Sequence, residues 1–122
     1  MSAGEHLGAY AQGWTNGDSA EVLRAVSDNY TFDDPNCGVI PRKEFARYLA
    51  QLKETVKTLR GGDLPTPFME LSEVVTQENQ GSITAWCWWS IPGTNIKGSG
   101  LIKVGPEGVH SEVITYYSKL PG

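Results

Sequence analysis

Cysteine is scarce in this chain. Cys37 and Cys87 are the only two in 122 residues and neither stands in a CxxC pair, so a disulfide framework is not indicated and both read as free thiols. Histidine is as rare: His6 and His110 lack the clustered Cys, His and carboxylate partners of a structural zinc site, and no metal is expected. "GSG" at 98–100 has neither the full GxGxxG pattern nor the strand-to-helix setting of a dinucleotide site. A nucleotide-binding loop and a nucleophile elbow are also missing, so no cofactor is expected. No segment approaches the ~20 apolar residues of a membrane span. "MSAGEHLGAY" lacks a basic start followed by a long apolar run, which leads us to expect a cytoplasmic protein with no membrane partner. There is no basic excess either. The net charge is −4, and the Lys and Arg residues between 42 and 60 alternate with Glu44 and Glu54 as on a solvated helix face, which argues against nucleic acid as a partner.

What the chain does contain is a globular composition, 39% hydrophobic and 20% charged. Its length fits one domain over 1–122, able to bury roughly two-thirds of the surface the unfolded chain would expose. Leu7, Tyr10, Ala11 and Trp14 recur at i, i+3, i+4 and i+7, one face of a helix ending near "NGD". Asp18 followed by Glu21 resembles a capping box that opens a second short helix through Val22, Leu23 and Val26. "YTF" then reads as a strand and "DDPNCG" as a turn, in which Pro35 holds Asp34 extended and Gly38 tolerates positive φ. Pro41 suits the first turn of a long helix with Phe45, Tyr48, Leu49, Leu52, Val56 and Leu59 on one face.

From Phe68 onward the pattern changes to strands: "FMELSEVVTQ", "SITAWCWWSI", "NIKGSGLIKV" and "VHSEVITYYS", parted by turn residues. Helices followed by a strand meander indicate an α+β fold, a curved antiparallel sheet packed on helices. Alternation puts Trp86 and Trp88 opposite Cys87 and Trp89, and His110, Glu112, Ile114 and Tyr116 opposite Val113 and Tyr117. Aromatics on both faces suggest that one meets the helices or a cavity and the other a partner subunit, so a homodimer is expected. Trp86 and Trp88 are the pair assigned to the cavity, together with Trp14, Ile114 and Tyr116; Trp89 is the expected dimer anchor.

Two short helices, a strand ending in an acidic turn, a long helix and a four-stranded meander resemble the cone-shaped fold of the nuclear-transport-factor-2-like superfamily, which includes ketosteroid isomerases and SnoaL-like polyketide cyclases. The most specific likeness is a spacing. Tyr10 lies eight residues before Asp18 of "NGD", and Asp34 of "DDP" sixteen after it. In ketosteroid isomerases a tyrosine, a helix-ending "GD" and an aspartate before proline stand at the same separations. The resemblance implies Tyr10 as the donor to a dienolate oxygen and Asp34 as the proton-shuttling base, a division of labour known from that enzyme. Where the isomerase has a second, protonated aspartate, "KGSGLIKV" offers Ser99 or glycine. "HSEVITYYS" is similar to the last strand of SnoaL-like proteins, with Ser118 where many carry an aspartate and Glu112 as the remaining acidic candidate.

Taken on their chemistry, these residues suit proton transfer next to a carbonyl. That reaction needs a base in reach and a donor where negative charge develops, both strengthened in an apolar cavity. The expectation is a cofactor-independent isomerase, cyclase or dehydratase acting on an apolar, carbonyl-containing small molecule, with Asp34, Tyr10 and Glu112 as catalytic candidates. Each also fits a plain alternative. Asp34 would cap the backbone of its turn, Tyr10 would be a core aromatic, and Glu112 would pair with Lys103 on the neighbouring strand. A non-catalytic ligand-binding or dimerisation module of the same fold is the competing reading.

Overall fold

The computed structural model describes residues 1–117; Ser118 lies outside them. The chain opens with helix α1 (Ala3–Asn16). Its first turn is fixed by a reciprocal cap, with the Ser2 hydroxyl accepting from the Glu5 amide and the Glu5 carboxylate accepting from the Ser2 amide. Tyr10, Gly13 and Trp14 form its buried face. Gly17, at φ 63°, ends the helix in the left-handed conformation that glycine adopts without a Cβ penalty. The Asp18 carboxylate then accepts from the Glu21 amide at 3.1 Å and starts α2 (Ser19–Arg24), as the sequence led us to expect.

Val26 does not extend that helix. It begins strand β1 (Val26–Asp34), whose alternate residues Tyr30, Phe32 and Asp34 are buried, so the strand is much longer than "YTF". After the turn, β2 (Gly38–Pro41) pairs back on β1 and a single 3₁₀ turn at 42–44 leads into α3 (Phe45–Leu59). Phe45, Tyr48, Leu49 and Val56 are buried on α3; Leu59, its last residue, is 58% exposed, so the apolar stripe stops at Val56.

Four strands follow: β3 (Glu70–Asn79), β4 (Ser82–Ser90), β5 (Lys97–Gly105) and β6 (Gly108–Tyr116). They form an antiparallel meander, and β6 continues onto β1 in parallel, giving the order β2-β1-β6-β5-β4-β3. The expected antiparallel sheet is therefore mixed at one pairing. A parallel pair needs a long crossover, and β1 and β6 are separated by α3 and the whole meander. The fold is α+β: a curved six-stranded sheet, open at its two edges, whose concave side holds the helices. α1 spans 14 residues against 15 for α3, so only α2 is a short helix. No helix among the described residues is long and apolar enough to cross a membrane.

Candidate functional site

β6 supplies the centre of the site. Its alternation turns Glu112, Ile114 and Tyr116 toward the helices while Val113 and Tyr117 face out. Glu112 sits opposite Ile102 in the β5 ladder, and its Oε2 lies over Gly100, where any Cβ would run into it. The glycine thus makes room for the carboxyl group of a residue that is only 5% exposed. Tyr10 of α1 donates its hydroxyl to Glu112 Oε1 at 2.5 Å, and the Tyr30 hydroxyl of β1 lies 2.7 Å from that of Tyr10. Tyr10 has a single hydroxyl proton, so with it on Glu112 the Tyr30 hydroxyl is the donor of the second bond. Lys103, the alternative partner of Glu112, points away and donates to Thr84 Oγ1 at 3.3 Å.

Around this carboxyl lies an apolar cavity. It offers ≈ 40 Å³ to the centre of a water-sized molecule, roughly three times what one water needs. Tyr10, Trp14, Cys87, Trp89, Ile114 and Tyr116 are among its walls, with Glu112 the one carboxyl among the described lining residues. Burial pushes the Glu112 carboxyl up to about 7, partly opposed by the Tyr10 hydrogen bond. Burial and the nearby Glu112 charge raise the Tyr10 and Tyr30 hydroxyls well above their usual range, so both remain donors near neutral pH. The same causes lift Cys87 to about 12, which keeps it a thiol rather than a nucleophilic thiolate.

A raised carboxyl pKa has a consequence for stability. The folded state holds the Glu112 proton up to about pH 7, whereas the unfolded chain releases it near 4.5. The stabilisation is complete below the unfolded value and lost as pH rises to the folded one, a swing of about 3 kcal/mol. Denaturant unfolding should therefore show a stability component that falls from about pH 4.5 to about pH 7 in the wild type and is missing in Glu112→Gln.

Asp34 forms a second polar group. Its Oδ2 accepts from the Tyr48 hydroxyl at 2.6 Å and from the Tyr116 hydroxyl at 2.8 Å, and its Oδ1 accepts from the Asn36 amide at 2.9 Å. Burial and the bonds to Asp34 raise both phenols, so they too stay protonated. Asp34 is 2% exposed and stands behind Tyr48 and Tyr116, which line the cavity in its place.

The structure thus distributes the expected site residues unevenly. Tyr10, Trp14, Glu112, Ile114 and Tyr116 meet at the cavity. Tyr10 and Asp34 have separate protein partners: Tyr10 engages Glu112, and Asp34 has the turn partner expected of a cap as well as two tyrosines. The assignment of Trp86 and Trp88 to the cavity is corrected. They are 36% and 39% exposed on the convex face, while Cys87 and Trp89 point inward, because β4 packs its Ile83, Ala85, Cys87 and Trp89 side on the helices. Trp89 is accordingly a cavity wall rather than an outer anchor. Ser99 is also outside, its hydroxyl 2.8 Å from that of Thr115. Tyr30, Tyr48 and Trp89 are the site residues that sequence reasoning missed. An all-apolar parity in β4 was the available signal for Trp89; Tyr30 and Tyr48 had only the local patterns of a strand and a helix face. His110 is half-exposed, 3.6 Å from Glu107, in a separate surface depression with Ser27 and Asn29.

No protein-family model matches the chain, and no curated protein does. Solved structures do. An NTF2-like protein of unknown function from Cytophaga hutchinsonii superposes with a TM-score of 0.62 at 14% identity, covering 96% of this chain and 91% of that one. A candidate polyketide cyclase from Xanthomonas campestris pv. campestris gives 0.65 at 15% identity over 94% and 90%. A SnoaL-like protein of unknown function from Burkholderia thailandensis gives 0.63 at 14% identity, covering 95% of each chain. Identities this low speak to architecture alone. The chain has the fold of the nuclear-transport-factor-2-like superfamily, the one its sequence resembles.

Proposed function

We propose that this protein is a cofactor-independent enzyme that moves a proton on an apolar, carbonyl-containing small molecule, with Glu112 as the acid–base group. The observation that carries this reading is a buried carboxyl at the wall of an apolar cavity, poised near neutral pH and held by one tyrosine. A base with a pKa near the working pH takes and returns a proton most effectively. The carboxylate would accept the α-proton of the substrate and return it at another carbon for isomerisation, or pass it to a leaving hydroxyl for dehydration. Tyr10 and Tyr30 would position Glu112 and set its basicity, and Asp34 would orient Tyr48 and Tyr116. The structural likeness to SnoaL-like and candidate cyclase proteins is consistent with small-molecule chemistry in this domain. The test is deuterium exchange at the α-carbon of cyclohexanone in deuterated water, followed by NMR. Saturable exchange above the buffer rate is expected, and exchange at the buffer rate would overturn the reading.

A specific observation favours the binding-module alternative: Tyr10, Tyr48 and Tyr116 all spend their hydroxyl protons on carboxylates. Saturable ketone binding without any exchange would decide for it.

The same reading includes a homodimer through the convex face. Val75, Trp86, Leu101 and Val113 stand in one cross-strand row, each at least 36% exposed, which is an apolar stripe across four strands. Trp86→Glu should convert a dimer into a monomer in sedimentation equilibrium; a wild type that is already monomeric at micromolar concentration would contradict this.

A further inference from the structure

Two side chains at the cavity carry donors that the protein leaves unmet. The indole Nε1–H groups of Trp14 and Trp89 are buried and have no acceptor, although the two residues are only 5% and 6% exposed. Buried donors in native proteins are nearly always paired, so an orphan asks for a partner that the protein does not supply. Both residues line the cavity, each packed on a tyrosine of one of the two polar groups. Trp14 packs edge-on to Tyr10, the residue that donates to Glu112, with ring centres 6.5 Å apart; Trp89 packs edge-on to Tyr116, a donor to Asp34, at 5.6 Å. The tyrosine hydroxyls between them are already committed. Among the described residues at this cavity, the indoles are thus the N–H donors still free.

We infer that the cavity selects an uncharged apolar ligand bearing a carbonyl or similar acceptor oxygen, which takes its hydrogen bond from Trp14 at the Glu112 end, with Trp89 available to a second acceptor. The absence of a negative charge follows from the walls. Glu112 lies among them, Asp34 stands just behind, and no Lys or Arg is among the described lining residues, so an anionic ligand would meet repulsion and find no counter-charge. For a proton-transfer enzyme the Trp14 N–H would occupy the role of donor to the developing oxyanion, since Tyr10 is engaged by the base itself. The inference rests on the cavity being the ligand site, as proposed above, but not on Glu112 transferring a proton.

The experiment compares three ring-sized probes, cyclohexanone, methylenecyclohexane and cyclohexanecarboxylate, at pH 8, following the four indole N–H signals by ¹H–¹⁵N NMR. Cyclohexanone should bind about tenfold more tightly than the hydrocarbon, the value of one hydrogen bond to an otherwise unmet donor. It should move the Trp14 signal downfield while leaving those of Trp86 and Trp88 in place, and the carboxylate should not bind. Trp14→Phe should bring the ketone and hydrocarbon affinities together; should that variant unfold, the wild-type indole shifts decide alone. Equal affinity for ketone and hydrocarbon, tighter binding of the carboxylate, no binding of any probe, or an unmoved Trp14 signal would each overturn the inference. The two proposals fail separately: ketone preference without α-proton exchange removes the proton-transfer reading alone, and exchange without preference removes this one.

Discussion

Replacing Glu112 with Gln is expected to slow α-proton exchange of a bound ketone by about 10²- to 10⁴-fold, the usual contribution of a positioned acid–base group. The amide has the shape of the carboxyl it replaces, so its oxygen can still accept from Tyr10 and its bulk still fits over Gly100. What it cannot do is take a proton. The variant should also be the more stable protein above pH 7, because the wild type there holds a charge in a site that burial disfavours. Slower exchange together with a gain in stability at high pH separates loss of a catalytic group from general damage. Exchange within twofold of the wild type would remove Glu112 from the mechanism.

Asp34→Asn should act mainly on stability. The carboxylate satisfies three donors at once, and an amide that keeps its oxygen toward Tyr48 and Tyr116 turns its NH₂ toward the Asn36 amide, donor against donor. Bonds to a charged acceptor are worth about 1.5–3 kcal/mol each, and leaving a buried donor unmet costs more than the bond alone. A loss of about 2–4 kcal/mol is expected in urea unfolding. Exchange per folded molecule should fall far less than in Glu112→Gln, because Asp34 reaches the cavity only through Tyr48 and Tyr116. An Asp34→Asn protein of wild-type stability that no longer exchanges would instead restore Asp34 as the base.

The contrast between the two carboxylates explains how much of the site could be read from the chain. Helix starts and strand alternation are local, and they were legible: Asp18 caps α2, and Glu112, Ile114 and Tyr116 share the inward face of β6. The superfamily resemblance carried the topology because it rests on the order of these local elements. Partner choice is not local. Tyr10 and Glu112 are 102 positions apart, and nothing near either residue says which carboxylate the hydroxyl will meet. The spacing from Tyr10 to Asp34 does not show that the Tyr10 hydroxyl is held by Glu112, or that Asp34 is held by Tyr48 and Tyr116. β4 misled for another reason. Its inward parity, Ile83, Ala85, Cys87 and Trp89, is uniformly apolar, whereas the outward one mixes Thr84 with Trp86 and Trp88. The bulk of two tryptophans outweighed the more regular pattern. A convex face carrying such residues satisfies the same hydrophobicity, which is why the sequence alone left the inner side of the sheet open.

The acid–base role depends on one physical property, a Glu112 carboxyl held half-protonated near neutral pH by burial. Carbon-detected NMR titration of the side-chain carboxyl in ¹³C-labelled protein, with Glu112→Gln used to assign its signal, measures that property directly. The account predicts a midpoint near 7; a midpoint at or below the ordinary 4.5 of an exposed glutamate would contradict it.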